Sequence, residues 1–206
     1  MRCPPISRAK AAGAAYSGIE GRVCLKPIRR RTREILMFEP TPIANPTDKT
    51  AFYLELDQQL ASLIDGEPDA IANAANMSAL LYMAMPELNW AGFYFLPEGT
   101  DILVVGPFQG KPACVRIPVG KGVCGTAVAK RETILVPDVH AFPGHIACDA
   151  ASQSELVVPL IRDGRVLGVL DLDSPRAGRF DADDQRGVER LVARYVAALP
   201  SRSSAG

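Results

Sequence analysis

The sequence predicts an α+β domain built on an antiparallel sheet. Apolar residues first recur at helical spacing over two successive stretches. They then alternate with other residues in short runs separated by turn signals, a pattern typical of strands joined as hairpins. A final stretch returns to helical spacing. Because short turns join antiparallel neighbours, whereas parallel strands need long crossovers, we expect an antiparallel sheet accompanied by helices.

Two helices are predicted at the start of this domain. A stripe of apolar side chains over 51–64 indicates the first helix, with Asp48 or Thr47 as its N-cap. The second helix is expected to carry Pro68 in its first turn, where the missing amide proton of proline does no harm. It should run to about Met83, after which the periodicity changes.

The strands follow, and two further helices are placed among and after them. The predicted strands are about 90–96, 102–107, 113–117, 133–136, 155–161 and 165–172. The last two form a hairpin across Asp163-Gly164, a strong turn signal. A short helix is expected over 126–131, and a closing helix is capped by Asp181. The long loop over 137–153 is a candidate functional segment, because loops of this length inside a compact domain usually carry function.

Composition limits the classes of protein to which the chain can belong. Its 206 residues are 48% apolar and carry no net charge, which suits one domain with a packed core. A neutral chain without a run of about 18 apolar residues gives no reason to expect nucleic acid or a membrane as partner. The charge is uneven, since residues 1–40 hold nine Lys/Arg against three Asp/Glu.

We divide the chain into a disordered basic extension over 1–45 and a folded domain over 46–200. The extension lacks the apolar centre of a secretory signal and shows no helical face. Its Arg-rich, acid-poor composition mildly resembles an organelle targeting segment, but an unstructured tail or a misassigned start codon is the favoured interpretation. Without a secretory signal, and with an odd number of cysteines, the expected setting is the cytoplasm with reduced thiols. The sequence leaves the oligomeric state open, and a homodimer is compatible with it.

Three of the five cysteines lie in the domain and are candidates for redox chemistry. Cys114, Cys124 and Cys148 fall within or beside predicted loops. A free cysteine is most often a small buried hydrophobe, a reading that suits Cys124 and suits Cys148 poorly, because Cys148 sits in the long polar loop. His140 and His145 occupy the same loop and could favour a Cys148 thiolate. Together with Cys114 and Cys124 they match no zinc-binding spacing, so no metal is expected.

Carboxylates and aromatic residues indicate a polar cavity beside an apolar wall. Asp171 and Asp173 are two apart on a predicted strand and therefore share one face, with Glu155 on the neighbouring strand. A solvated strand end would explain the two aspartates as well. In a cavity, however, carboxyls packed together cannot all ionise cheaply, so one could keep a proton at neutral pH and donate it to a leaving oxygen. Trp90 and Tyr94 share a strand face and could line the same pocket, although core packing also explains them.

Four motifs make the chain resemble a known family. They are NWAGFYF, VGPFQGKPACVRIPVGKGVCGTA, DVHAFPGHIACDAASQSELVVPL and GVLDLDS. Together they resemble free methionine-(R)-sulfoxide reductase, a catalytic branch of the GAF domain, over about residues 50–198. The resemblance implies a six-stranded antiparallel sheet with helices packed on one face and the pocket on the other. The extension over 1–45 has no counterpart in the family.

The resemblance also implies a role for each candidate residue. It makes Cys148 the nucleophile, Cys114 the principal resolving cysteine and Cys124 a third thiol that can join disulfide exchange. The substrate-binding set that it implies consists of Trp90, Tyr94, Glu155, Asp171 and Asp173.

These roles define a reaction and its partners. Free methionine-(R)-sulfoxide is the expected substrate, and the enzyme is reset by thioredoxin and its NADPH-dependent system. No bound cofactor is expected, because an external thiol supplies the electrons. The alternatives are a non-catalytic GAF sensor of a ligand or of redox state, and a zinc protein that would be purified with its metal.

Overall fold

The computed structural model describes residues 48–146 and 149–200 and contains four α-helices, a short 3-10 helix (Val139–Ala141) and six strands within those ranges. The helices are α1 (Lys49–Ile64), α2 (Ala70–Ala84), α3 (Gly122–Lys130) and α4 (Ala182–Ala198). The strands are β1 (Trp90–Phe95), β2 (Ile102–Gly110), β3 (Arg116–Pro118), β4 (Ile134–Val136), β5 (Ser154–Arg162) and β6 (Arg165–Ser174). The predicted extension over 1–45 lies outside the described residues, so its disorder remains a prediction.

All six strands form one antiparallel sheet, in the order β3-β2-β1-β6-β5-β4. The predicted hairpins β1–β2 and β5–β6 are both present, and β6 joins them by pairing with β1. This pairing places Trp90 opposite Asp173 on one side of β6, while Glu155 lies opposite Asp173 on the other. Residues that are distant in sequence therefore meet at one end of three adjacent central strands.

The two faces of the sheet carry different layers. One face packs against α1, α2 and α4 through a large apolar core, to which β1 contributes Ala91 and Phe93 and β6 contributes Leu170 and Leu172. The opposite face carries a smaller cluster, in which Trp90, α3 and β3 pack together. Alternation along the strands produces this division, since successive side chains point to opposite faces.

The helix starts confirm some of the predicted caps and correct one. Asp48 caps α1 by accepting hydrogen bonds from two backbone amides of the first turn. Asp181 caps α4 and forms a capping box with Asp184. The placement of Pro68 in the first turn of α2 is wrong, because Asp69 is the N-cap and Pro68 precedes it. The side chain of Asp69 accepts from two amides of that turn and therefore fixes where the helix begins.

Two elements near the candidate site also differ from the prediction. Helix α3 begins at Gly122, four residues before the predicted start, and so includes Cys124. Its glycines are needed for close packing, because a Cβ on Gly125 would lie 2.3 Å from the carbonyl oxygen of Pro118. Strand β3 is shorter and later than the predicted 113–117, which leaves Ala113 free to line a cavity.

Within the described ranges, no helix has the length and apolar character needed to cross a membrane.

Candidate active site

A cavity opens on the face of the sheet that carries α3. Its floor is formed by the ends of β1, β5 and β6, and its sides by α3 and by residues of two loops. The described lining residues are Trp90, Tyr94, Pro112, Ala113, Ile117, Gly122, Val123, Cys124, His145, Ile146, Asp149, Ser152, Glu155, Asp171 and Asp173. The predicted carboxylates and aromatic residues therefore all meet at one cavity. Cys148, the predicted nucleophile, lies outside the described residues.

Three carboxyl groups, two of them buried and one half-buried, form the floor of this cavity. Glu155 and Asp171 are only 5% and 6% exposed, and Asp173 is half-buried beside them. Asp171 and Asp173 lie on one face of β6, as predicted from their spacing, while Leu170 and Leu172 point into the helix-side core. Glu155 joins them from β5 through the strand register. The alternation of a single strand thus supplies both the apolar core and the acidic floor.

Burial strongly favours the protonated form of these acids. Removal from water raises the pKa of Asp171 from 3.8 to about 7. Burial, followed by repulsion from neighbouring carboxylates, raises the pKa of Glu155 and that of Asp173 well above their usual ranges. Because like charges at this distance cannot all be present cheaply, the cluster keeps at least one proton near neutral pH. It can therefore act both as an anion and as an acid.

Two stacked aromatic pairs form the wall above the carboxyl groups. The rings of Trp90 and Tyr94 lie 5.7 Å apart, and Trp90 also stacks on Phe108 at 5.3 Å. The indole nitrogen of Trp90 donates a hydrogen bond to the carbonyl oxygen of Lys111 at 3.1 Å, which fixes the ring. Gly92 is required between these rings, since a Cβ there would lie 2.3 Å from that of Phe108. The wall is rigid and apolar.

The two described cysteines of the domain occupy different environments. Cys124 is a free thiol, buried in the first turn of α3, and its sulfur donates to Glu155 Oε1 at 3.9 Å. Burial and the nearby carboxyls of Asp171 and Glu155 raise the pKa of Cys124 well above its usual range. A thiol in this setting is a poor nucleophile, because the thiolate is the reactive form. Cys114 is half-buried next to the cavity residue Ala113 and is disulfide-bonded.

The two histidines of the long loop separate in the structure. His145 lines the cavity, with its Nε2 atom 3.8 Å from Glu155 Oε2, whereas His140 is exposed and does not line the cavity. Burial, followed by repulsion from His140, lowers the pKa of His145. The imidazole is therefore neutral at pH 7. Of the four residues considered from sequence as metal ligands, Cys124 and His145 line the cavity. Cys124 groups with Glu155 and Asp171, whose donor atoms lie within 4.8 Å of one another, and His145 is not part of that group.

Comparison with known proteins assigns the family. The family model described as "GAF domain" matches residues 71–199. The "Free methionine-R-sulfoxide reductase" of Escherichia coli (strain K12) is 54% identical over 152 residues, which cover 74% of this chain and 91% of that protein. The chain belongs to the free methionine-R-sulfoxide reductase family of GAF domains. The resemblance predicted from its motifs is confirmed, as is the GAF fold.

Other known proteins also match most of the chain. "Protein YtsP" of Bacillus subtilis (strain 168) is 59% identical and covers 74% of this chain and 93% of that protein. A solved structure of free methionine-R-sulfoxide reductase from Neisseria meningitidis, described as a complex with its substrate, superposes with a TM-score of 0.71. It is 44% identical in sequence and covers 79% of this chain and 93% of that one.

The reductase cavity also involves residues that sequence reasoning missed. Asn89 donates hydrogen bonds from its amide nitrogen to Asp149 Oδ2 at 3.1 Å and to Ser152 Oγ at 3.0 Å. Lys111 adds an ion pair to Asp149 at 3.3 Å. These contacts tie the residue that follows Cys148 to the start of β1. The sequence indicates these residues only by their position, because Asn89 comes directly before Trp90 and Asp149 directly after Cys148.

Proposed function

We propose that this chain reduces free L-methionine-(R)-sulfoxide to L-methionine with electrons from an external thiol. The observation that carries the proposal is the buried cluster of Glu155, Asp171 and Asp173, which faces the Trp90–Tyr94 wall across one cavity. A proton donor, a site for a cation and an apolar wall are what the reduction of a zwitterionic sulfoxide needs. Relatives that carry this name at high identity support the assignment.

Recognition of the free amino acid follows from the charges around the cavity. An ionised carboxylate of the floor binds the substrate ammonium group, while the aromatic wall packs against the sulfur and its methyl group. The substrate carboxylate fits near the start of α3, where Gly122 and Val123 line the cavity. Lys121 caps this helix without a side-chain hydrogen bond, so the first amide protons remain suited to an anion. A methionine inside a peptide lacks both charges.

The first chemical step oxidises Cys148 by two electrons. Its thiolate attacks the sulfoxide sulfur while an acid of the floor protonates the oxygen. The protonated oxygen is transferred to the Cys148 sulfur as the sulfur–oxygen bond of the substrate breaks, so methionine leaves and Cys148 becomes a sulfenic acid. The raised pKa of Asp171, about 7, supports a carboxyl group as the proton donor, because an effective general acid has a pKa near the working pH.

The second step removes the oxygen as water. The Cys114 thiol condenses with the Cys148 sulfenic acid, and a disulfide forms. A thioredoxin dithiol then reduces this disulfide by exchange, at the expense of NADPH. The disulfide-bonded state of Cys114 supports its role as the resolving thiol. The buried Cys124, with its raised pKa, is less suited to that role, although it can join a later exchange.

The expected setting is a cytoplasm in which a thioredoxin system keeps thiols reduced. There, the reaction would return oxidised free methionine to use and form part of the response to oxidative stress.

Substrate discrimination tests the proposal. The purified protein, with thioredoxin and NADPH, is offered free methionine-(R)-sulfoxide, its S epimer and the N-acetyl amide of the R form. Fixed acids can protonate the oxygen of only one epimer well, and acetylation removes the ammonium contact. A charge-assisted hydrogen bond is worth about 1.5–3 kcal/mol, so we expect at least a tenfold to hundredfold preference for the free R form. Comparable turnover of all three compounds would contradict the free-amino-acid assignment.

Two controls separate the enzyme from the alternative GAF sensor. The Cys148→Ser variant should release no methionine even with dithiothreitol, because the proposed nucleophile is missing. If wild-type protein with intact thiols turns over none of the three compounds, the sensor hypothesis is favoured.

A further inference from the structure

We propose that Cys124, Glu155 and Asp171 form a binding site for a thiophilic divalent cation, Zn²⁺, at the floor of the cavity. One sulfur and two carboxylate oxygens, one from each residue, all lie within 4.8 Å of one another. The three residues come from α3, β5 and β6 and are all buried. This inference goes beyond the proposed reduction, which uses no metal.

An unsatisfied oxygen indicates that this cluster is built for a ligand. Asp171 is 6% exposed and lines the cavity, and among the described residues its Oδ1 atom finds no hydrogen-bond partner, although the side chain also interacts with Cys124 and Glu155. Buried polar atoms are nearly always paired, so each exception calls for an explanation such as a missing ion. Among the described residues that line the cavity there is no lysine or arginine to neutralise the acids. A small dication would satisfy the oxygen and the charge together.

The distance between the sulfur and one carboxylate oxygen is close to that in a tetrahedral zinc site. Zinc–sulfur bonds of about 2.3 Å and zinc–oxygen bonds of about 2.1 Å place sulfur and oxygen ligands about 3.6 Å apart. The Cys124 Sγ–Glu155 Oε1 distance is 3.9 Å, so a shift of about 0.3 Å brings this pair to the ideal value. His145 Nε2 lies 3.8 Å from Glu155 Oε2 but is not among the donor atoms that lie within 4.8 Å of one another, so a water molecule would complete the coordination.

The donor set selects zinc over the abundant hard cations. Mg²⁺ prefers six oxygen ligands and Ca²⁺ six to eight, whereas a thiolate ligand suits Zn²⁺. Metal ligands must be deprotonated, and burial raises the pKa values of Cys124, Glu155 and Asp171. Binding should therefore release protons, and more than one per metal at pH 7. The ion would occupy the floor that the substrate ammonium and oxygen need, so metal and substrate exclude each other.

Cobalt spectroscopy tests the site directly. The full-length chain is prepared with Cys3, Cys24, Cys114 and Cys148 replaced by serine, which leaves Cys124 as the one thiol. Titration with Co²⁺ should give a thiolate-to-cobalt charge-transfer band and the intense visible bands of a tetrahedral ion, and one equivalent of Zn²⁺ should abolish both. A second titration, of Zn²⁺ by calorimetry in two buffers of different ionisation enthalpy, counts the released protons.

Matched variants decide the outcome. In the same background, Cys124→Ser should lose the charge-transfer band, and Asp171→Asn should weaken Co²⁺ binding at least tenfold while circular dichroism shows an intact fold. Glu132→Gln, at an exposed position away from the cavity, should change nothing. Absence of the band in the parent protein, or equal affinity in the Asp171→Asn variant, would overturn the proposal.

Displacement tests the exclusion between metal and substrate. Free methionine-(R)-sulfoxide should reduce the cobalt bands more than the same concentration of glycine, which controls for chelation in solution. Equal effects of the two amino acids would overturn the shared position of metal and substrate.

Discussion

Replacing Asp171 by asparagine should stabilise the protein at alkaline pH while damaging the proposed chemistry. The substitution keeps the size and shape of a side chain that is 6% exposed and lies at the acidic floor. It removes the carboxyl group, whose ionisation is opposed by burial. The direction follows from linkage, because a carboxyl group whose pKa is raised by folding binds its proton more tightly in the folded state. The contribution of this carboxyl group to the free energy of unfolding is complete below its pKa in the unfolded state. It is lost as the pH rises through its pKa in the folded state.

The magnitude follows from the shift at this one group. The pKa of Asp171 rises from 3.8 to about 7, and each unit of difference corresponds to about 1.4 kcal/mol. The stability loss assigned to Asp171 over the whole window is therefore about 4 kcal/mol, of which about 2.5 kcal/mol falls between pH 5 and pH 8. Glu155 and Asp173 titrate in the same cluster, so this number counts Asp171 alone.

Urea unfolding measures the effect. The free energies of unfolding of wild type and Asp171→Asn are compared at pH 5 and pH 8. From pH 5 to pH 8, we expect the free energy of unfolding of the wild type to fall by about 2.5 kcal/mol relative to that of the variant. Glu132→Gln, at an exposed position, should track the wild type at both pH values. If the wild type and the Asp171→Asn variant lose the same stability from pH 5 to pH 8, then burial does not hold a proton on this carboxyl group.

Three further predictions concern other parts of the chain. Gly122→Ala should lose about 1 kcal/mol of stability and most of its turnover, because φ is +61° and a Cβ would lie 3.3 Å from Ile146 in the long loop. Gly164→Ala, at φ +73° with nothing nearby, should lose similar stability but keep turnover, and a loss of activity in both would contradict the role of the loop contact. Cys114→Ser should stop thioredoxin-coupled turnover yet release about one methionine per site in a single turnover, whereas steady-state rates equal to wild type would exclude Cys114 as the resolving thiol. Deletion of residues 1–45 should leave activity and melting temperature nearly unchanged, and a large fall in either would show that the extension supports the domain.

Much of the fold could be predicted because the periodicity of each element is local information. The alternation in β1 correctly separates Trp90 and Tyr94 from Phe93, and the spacing of Asp171 and Asp173 correctly places both on one face. Each of these inferences depends on residues within a few positions of one another. The two-residue period predicts the faces reliably because a shift of one residue in strand register would move every apolar side chain from the core face to the opposite face.

The errors arise where glycine and long-range contacts decide the structure. The predicted start of α3 is too late, because Gly122 and Gly125 resemble loop residues. In the structure both belong to the helix: Gly125 packs against Pro118, and Gly122 has a positive φ beside Ile146. The anchoring of Asp149 by Asn89 was missed, because the two residues are 60 positions apart and no local pattern links them. The roles of the cysteines stay predictions, since Cys148 lies outside the described residues.

The position of the acidic cluster on a central strand explains how the fold tolerates it. Asp171 is flanked on β6 by Leu170 and Leu172, both fully buried in the helix-side core, so the backbone that carries the acid is held by apolar packing on its other face. An acid on a loop could move toward water and regain its usual pKa. On this strand it cannot, because moving Asp171 would withdraw its neighbours from the core at a cost of several kcal/mol. The raised pKa that suits a proton donor is therefore a consequence of where the core lies.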